Sequence, residues 1–206
     1  MHFIPILTAA QRGWLESMGY RIVSLIARGK SAGGWLVERN GKKFAAKCEH
    51  EKSYRKQMLE REVLQLKMAN EAGVGPALID SSAEARIIVM QFIDGVTLHA
   101  FIAQCEDKKL MLRVVKELFA QAKKLDDVGI DHGQLGGKLA NILVDKKKRV
   151  WIIDFEKASY VRKTHNTAQL KHALFGGSTP PSKMISRMLK VEAHANNWIP
   201  AHHSAD

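Results

Sequence analysis

Cysteine is scarce in this sequence: Cys48 and Cys105 are the two in 206 residues, and their separation is not that of a metal-ligand pair. A disulfide-stapled secreted scaffold and a cysteine metal site are thereby excluded, and a reducing compartment is expected, with both thiols as packing residues. Long apolar runs are also missing. Nothing approaches the roughly 18 residues a membrane span needs, and the opening Met-His-Phe-Ile-Pro lacks the basic-then-apolar layout of a signal peptide. A cytoplasmic protein with no membrane partner is expected. Internal repeats and low-complexity blocks are absent. Acidic residues are outnumbered, 21 against 32 Lys and Arg, for a formal charge of +11. That balance favours polyanionic partners such as nucleotides, RNA or acidic protein surfaces. The basic residues are spread along the chain without interleaved aromatics, which argues against a dedicated nucleic-acid interface.

What is present suits a folded chain. The hydrophobic fraction of 46% and charged fraction of 26% are ordinary for a globular protein, and the length suits one domain or two lobes sharing one cleft. Thr8 and Gln11 form a capping-box pattern opening a helix to about Met18, with Trp14, Leu15 and Met18 on its apolar face. Residues 20–26, 35–38 and 43–47 are β-prone, with Asn40-Gly41 as a tight turn between the last two. Helical spacing over 52–72 predicts a helix ended by Gly73, followed by strands at 78–79 and 87–92. A five-stranded small lobe results. The second half reads as helix from Leu98, a long amphipathic helix over 110–125, a hairpin of strands 142–144 and 150–153, and helices over 167–175 and 182–196, with a frayed end.

Chemistry enters through several motifs. Gly29-Lys30-Ser31-Ala32-Gly33-Gly34 lies between two predicted strands, where small residues let backbone amides approach phosphate oxygens. Gly29, Lys30, Ser31 and Gly34 are the candidate lid residues. A P-loop is excluded: it needs glycine five positions before Gly29, where Ser24 stands, and a helix directly after Ser31. Instead a hairpin leads into Phe44-Ala45-Ala46-Lys47, a strand carrying one lysine that should reach the α and β phosphates of a nucleotide. Such a lysine needs a carboxylate to hold it extended. Glu62 in the following helix is the candidate, with Glu60 as the competitor. Val89 to Gly95 passes from buried strand to polar segment, as a hinge between lobes would, and backbone groups at Gln91 and Ile93 are the candidates for adenine. Asn141 and Asp154, on opposite sides of the 142–153 hairpin, supply the hard oxygen ligands that magnesium takes.

With Asp131-His132-Gly133-Gln134-Leu135, Asn141 and Asp154-Phe155-Glu156 in order, the chain resembles the atypical small kinases. These are the KEOPS-complex kinase, the RIO family and, more loosely, the aminoglycoside phosphotransferases, with a compact archaeal group of predicted serine/threonine kinases as the nearest likeness. The resemblance runs from about Tyr20 to Ser159. His132-Gly133-Gln134-Leu135 is similar to a His-Gly-Asp-Leu catalytic loop, Asn141 to the loop asparagine, and Asp154-Phe155-Glu156 to Asp-Phe-Gly. It implies an α+β, bilobal protein-kinase-like fold. Residues 1–93 would form a small β-rich lobe with one main helix, and 94–206 a reduced helical lobe with the catalytic and metal loops. It also implies phosphoryl transfer from ATP with Mg2+ to a protein acceptor or to the chain itself.

Three features depart from that pattern. Gln134 stands where the catalytic aspartate belongs, residues 136–140 lengthen the stretch before Asn141 by about two, and Glu156 replaces the glycine that lets such segments flip. Phosphoryl transfer depends mostly on positioning and charge neutralisation, so Gln134 can orient a hydroxyl without accepting its proton. Asp131 is a substitute base, or else a turn cap beside a packed His132. A slow kinase and a nucleotide-binding pseudokinase that docks a partner both fit. The charge together with the KEOPS likeness adds an RNA-associated ATPase as a third reading.

Overall fold

The computed structural model describes residues 6–50, 58–137, 139–176 and 179–189. The predicted start of the second helix, the tail of the last one and the frayed end lie outside them. The chain divides into two compact units, Met1–Asp94 with Asp154–Ala158, and Gly95–Ile153 with Ser159–Asp206.

The first unit opens with α1 (Ala9–Ser17), where Thr8 and Gln11 exchange the two bonds of the predicted capping box. Strands β1 (Arg21–Arg28), β2 (Ala32–Arg39), β3 (Lys42–Glu49), β4 (Leu78–Ser82) and β5 (Ile87–Gln91) form an antiparallel sheet in the order β1-β2-β3-β5-β4. Asn40 and Gly41 both take positive φ, as a two-residue hairpin demands. Side chains alternate across the sheet. Val37, Ala46, Cys48, Ile87 and Val89 join Leu7, Leu15 and Tyr20 in one core layer, while helix α2 (Met58–Glu71) packs against β4 and β5. With both sides covered, Ile87, Ile88 and Val89 are all fully buried, which accounts for their continuous apolar run.

The predicted glycine loop is narrower in the structure. Gly33 and Gly34 pair with Arg28 and Ala27, leaving Gly29 to Ser31 as the turn. A Cβ on Gly34 would stand 2.9 Å from that of Ala27, so this glycine permits close strand approach.

The second unit holds β6 (Gly95–Thr97), β7 (Ile142–Asp145) and β8 (Val150–Ile152) in a small antiparallel sheet. Around it lie α3 (Leu98–Gln104), α4 (Lys108–Asp127), α5 (Asn166–Phe175) and α6 (Pro180–Leu189). Strand β6 was not predicted: three residues carry no periodicity, and Gly95 is required because the Val144 carbonyl leaves no room for a side chain. Helix α4 starts earlier than its apolar pattern, because Asp107 caps it through the amides of Lys109 and Leu110. Its stripe of Met111, Val114, Val115, Leu118, Phe119, Ala122 and Leu125 is buried. Helix α6 starts two residues before the predicted 182 and takes in Pro180 and Pro181, since proline at the first helical positions gives up no intrahelical bond.

Where α5 begins, its free amides are taken by one carboxylate. Asp126 accepts from the Asn166 backbone and side chain at 3.1 and 2.9 Å, and from the Thr167 backbone and hydroxyl at 3.1 and 2.6 Å. Asn166 is fully buried; its amide also donates to the Ile130 carbonyl at 2.6 Å and accepts from the His132 N–H at 2.8 Å. Replacing Asn166 by alanine strands these partners in the interior and should cost about 3 kcal/mol. Urea unfolding measures it, and a loss under about 1 kcal/mol would show that the junction holds without Asn166.

Candidate active site

In the first unit, the alternation that buries Ala46 and Cys48 turns Lys47 to the opposite side of β3. Lys47 Nζ lies 2.7 Å from Glu62 Oε2, 2.9 Å from Asp154 Oδ1 and 3.4 Å from Glu156 Oε2. Glu62 is buried within α2 while Glu60 is exposed, so the lysine's helical partner is Glu62. Asp154 has left-handed backbone (φ 65°, ψ 75°) and leads into a 3-10 turn, Phe155–Lys157. Phe155 is buried: a Cβ on Gly75, itself at φ +82°, would stand 2.9 Å from its ring, and Leu66 of α2 lines the same spot. The ring thus fixes the segment that carries both Asp154 and Glu156.

The electrostatics follow from three carboxylates around one ammonium. Burial works against the charge on Lys47, but the pull of Glu62, then of Asp154, and their hydrogen bonds outweigh it and hold the ammonium above the ordinary lysine range. Burial drives Glu62 the other way from a usual carboxylate. Despite the neighbouring lysine it is pushed up to about 7, with Asp154 and Glu156 adding repulsion. A carboxyl whose folded pKa is raised contributes stability that is fully present below its unfolded value, about 4.5, and is lost as pH rises through about 7. The unfolding free energy should therefore fall relative to Glu62→Gln between pH 4.5 and 7, by on the order of 2 kcal/mol. Denaturant titrations across that range test it, and a difference independent of pH would contradict the shift.

The glycine turn is closed by its own backbone and by the end of β3. Gly29 N–H donates to the Ala32 carbonyl at 3.0 Å, His50 N–H to the Ser31 carbonyl at 2.9 Å, and His50 Nε2 meets the Gly29 carbonyl at 3.1 Å. Lys30 is exposed, and Gly34 belongs to β2. Gln91 ends β5 with its N–H donated to the Ala77 carbonyl at 2.8 Å, so an adenine contact by Gln91 has to use its carbonyl. Ile93 follows, partly buried, outside the strand.

In the second unit, His132 is fully buried, held by Asn166 and by the Ile153 carbonyl 3.0 Å from its Nε2. Asp131 is buried too. Its backbone bridges Ser159, its Oδ2 accepts from Arg162 Nε at 2.9 Å, and its Oδ1 has no hydrogen-bond partner among the described residues. Gln134 and Asn141 face each other, Asn141 Nδ2 to Gln134 Oε1 at 3.5 Å. They line a pocket of about 460 Å³ with Gly133, Gly136, Gly137, Ala140 and Gln169. No carboxylate is among its described lining residues, and Asp131 lies outside it. The Asn141 carbonyl accepts from Ile153 N–H at 2.8 Å, which ties the asparagine to the residue preceding Asp154 in the chain.

The structure thus brings Lys47, Glu62 and Asp154 together in the first unit, and Gln134 with Asn141 in the second. Each unit by itself carries a hard oxygen of the kind magnesium takes: in the first, Asp154 offers an anionic oxygen and the excess of carboxylate over ammonium around Lys47 favours a cation, and in the second, Asn141 offers a neutral oxygen. Three contributors were missed from sequence. Glu156 was read as a lost glycine rather than a partner of Lys47, Arg162 gave no signal as the partner of Asp131, and Gln169 is an ordinary polar residue on α5. Only Glu156 had a readable clue, its carboxylate two positions after Asp154.

Residues 37–172 match the RIO domain. The chain belongs to the RIO domain family. Its likeness to that atypical kinase family, inferred from the Gln134, Asn141 and Asp154 motifs, is thereby borne out, as is the α+β kinase-like fold. Over 87 residues it is 36% identical to an uncharacterized protein of Methanocaldococcus jannaschii, covering 42% of this chain and 72% of that one. Over 107 residues it is 32% identical to the KEOPS complex subunit Bud32 of Pyrococcus abyssi, covering 52% of this chain and 47% of Bud32. The matched stretch thus spans about half the length of Bud32. No helix among the described residues is long and apolar enough to cross a membrane.

Proposed function

We propose that this RIO domain binds ATP with Mg2+ and transfers the γ-phosphoryl group to a serine or threonine hydroxyl of a protein acceptor or of the chain itself. The reading rests on one observation: Lys47 Nζ bonded at 2.7 Å to buried Glu62 and at 2.9 Å to Asp154. A strand lysine held by a helix carboxylate is what phosphate positioning requires. Lys47 holds the α and β phosphates, Glu62 keeps Lys47 extended, and the Gly29–Ser31 turn with Gly34 covers the phosphates. The carbonyl of Gln91 and the backbone at Ile93 take the adenine. Asp154 and Asn141 would each supply an oxygen to magnesium, and the ion would supply charge neutralisation for the phosphate oxygens. Gln134 orients the acceptor hydroxyl. The oxygen of that hydroxyl bonds to the γ-phosphorus as the bond to the β-phosphate oxygen breaks, and the hydroxyl proton leaves to phosphate or water. The pairing of Asp131 with Arg162 supports a turn-fixing role for Asp131 over proton transfer.

Incorporation of labelled phosphate from ATP is expected with the intact chain, and Lys47→Ala and Asp154→Ala should each lower it at least a hundredfold, about 2.7 kcal/mol or more of transition-state stabilisation. A protein inert toward itself and every acceptor tried would reject transferase activity.

A second reading is favoured by the pocket around Gln134, whose described lining includes no carboxylate. In that reading the chain is a nucleotide-binding pseudokinase that docks a partner, a role supported by Bud32 being a subunit of a complex. It predicts a thermal shift with ATP and magnesium but no turnover, and a gain of turnover in Gln134→Asp. Rapid turnover by the unaltered chain rejects it.

A further inference from the structure

Among the groups around Lys47, Glu156 has no task in the phosphate and metal roles just assigned. Its carboxylate is nonetheless held in place. The side chain is 16% exposed, its Oε2 is 3.4 Å from Lys47 Nζ, and it sits in the 3-10 turn anchored by buried Phe155. Lys47 is therefore shared among Glu62, Asp154 and Glu156 before any phosphate reaches it. A phosphate arriving without a metal meets one ammonium already surrounded by carboxylates. The same phosphate arriving with a divalent cation brings the charge those carboxylates lack.

From this geometry we propose that Glu156 acts as an electrostatic gate on Lys47, disfavouring metal-free nucleotide and making nucleotide binding conditional on a divalent cation. The inference rests on the nucleotide reading above and adds a regulation to that same site. Glycine at position 156 would leave Lys47 with Glu62 and Asp154 alone. Glutamate adds a negative charge a few ångströms from where phosphate oxygens meet the lysine. At that range, in a partly solvated cluster, a unit charge changes affinity by about tenfold. Glu156 works through Lys47, so it is a positioning residue, and its signature is a ratio rather than a loss of activity.

The test is a titration of the full chain with a fluorescent N-methylanthraniloyl derivative of ADP, once in EDTA and once with excess magnesium, for the unaltered protein, Glu156→Gln and Glu156→Ala. Thermal melts establish that each variant is folded, and the alanine variant serves if the glutamine one is not. The expected result is that the Kd in EDTA divided by the Kd in magnesium falls about tenfold in the variants, chiefly through tighter metal-free binding. A ratio within twofold of the unaltered protein's overturns the gate. So does a variant that loses mainly magnesium-dependent binding, since Glu156 would then be a metal ligand. Absence of binding by the unaltered protein in magnesium overturns the nucleotide reading itself, which separates the two failures.

Discussion

A single, mostly buried ammonium shared by three carboxylates is the constraint on which this structure turns. Lys47 is on a strand, Glu62 on a helix, and Asp154, 107 positions beyond Lys47, shares a later segment with Glu156. Glu62 is buried and would be costly to leave charged without a partner, and its meeting with Lys47, Asp154 and Glu156 joins α2 to the sheet and to the 154–158 segment within the first unit. Such a cluster is a poor device for stability, because a hydrophobic replacement would cost less to bury. Its retention is understandable where the lysine has to be presented to a polyanion.

The two units carry different chemistry. The first unit positions charge, through a sheet whose alternation separates Ala46 and Cys48 from Lys47. The second positions neutral hydrogen-bonding groups: Gln134, Asn141 and Gln169 line one pocket, while the loop that carries Gln134 is hung from α5 by Asn166. Asp131, one residue before His132, is committed to Arg162. In the proposed reaction, neutral groups for the acceptor and carboxylates for the metal leave placement and metal charge, rather than a strong side-chain base, to carry the transfer.

Much of this was legible in the sequence where the signal is local. The capping box of Thr8 and Gln11, the Asn40-Gly41 turn and the apolar stripe of α4 depend on neighbours within one helical turn or one hairpin. Lys47, Glu62, Asn141 and Asp154 could be named because a strand lysine, a helix carboxylate and two hard oxygen donors occur in a fixed order along the chain. The choice of Glu62 over Glu60 needed the helix to be seen in place, since two residues are enough to turn a side chain from interior to solvent. What stayed hidden depends on distant approach. Strand β6 has three residues and a glycine fixed by the Val144 carbonyl, Gly33 and Gly34 look like loop until β1 is paired beside them, and Arg162 reaches Asp131 across thirty-one positions.

Helix α2 contributes both Glu62 to the lysine and Leu66 to the seat of the Phe155 ring. A slide of this helix by one residue along its axis, about 1.5 Å, would stretch the 2.7 Å ion pair and unseat the aromatic plug in the same movement. The two losses would arrive together, so the axial position of α2 sets the ion pair and the seat of the aromatic ring at once.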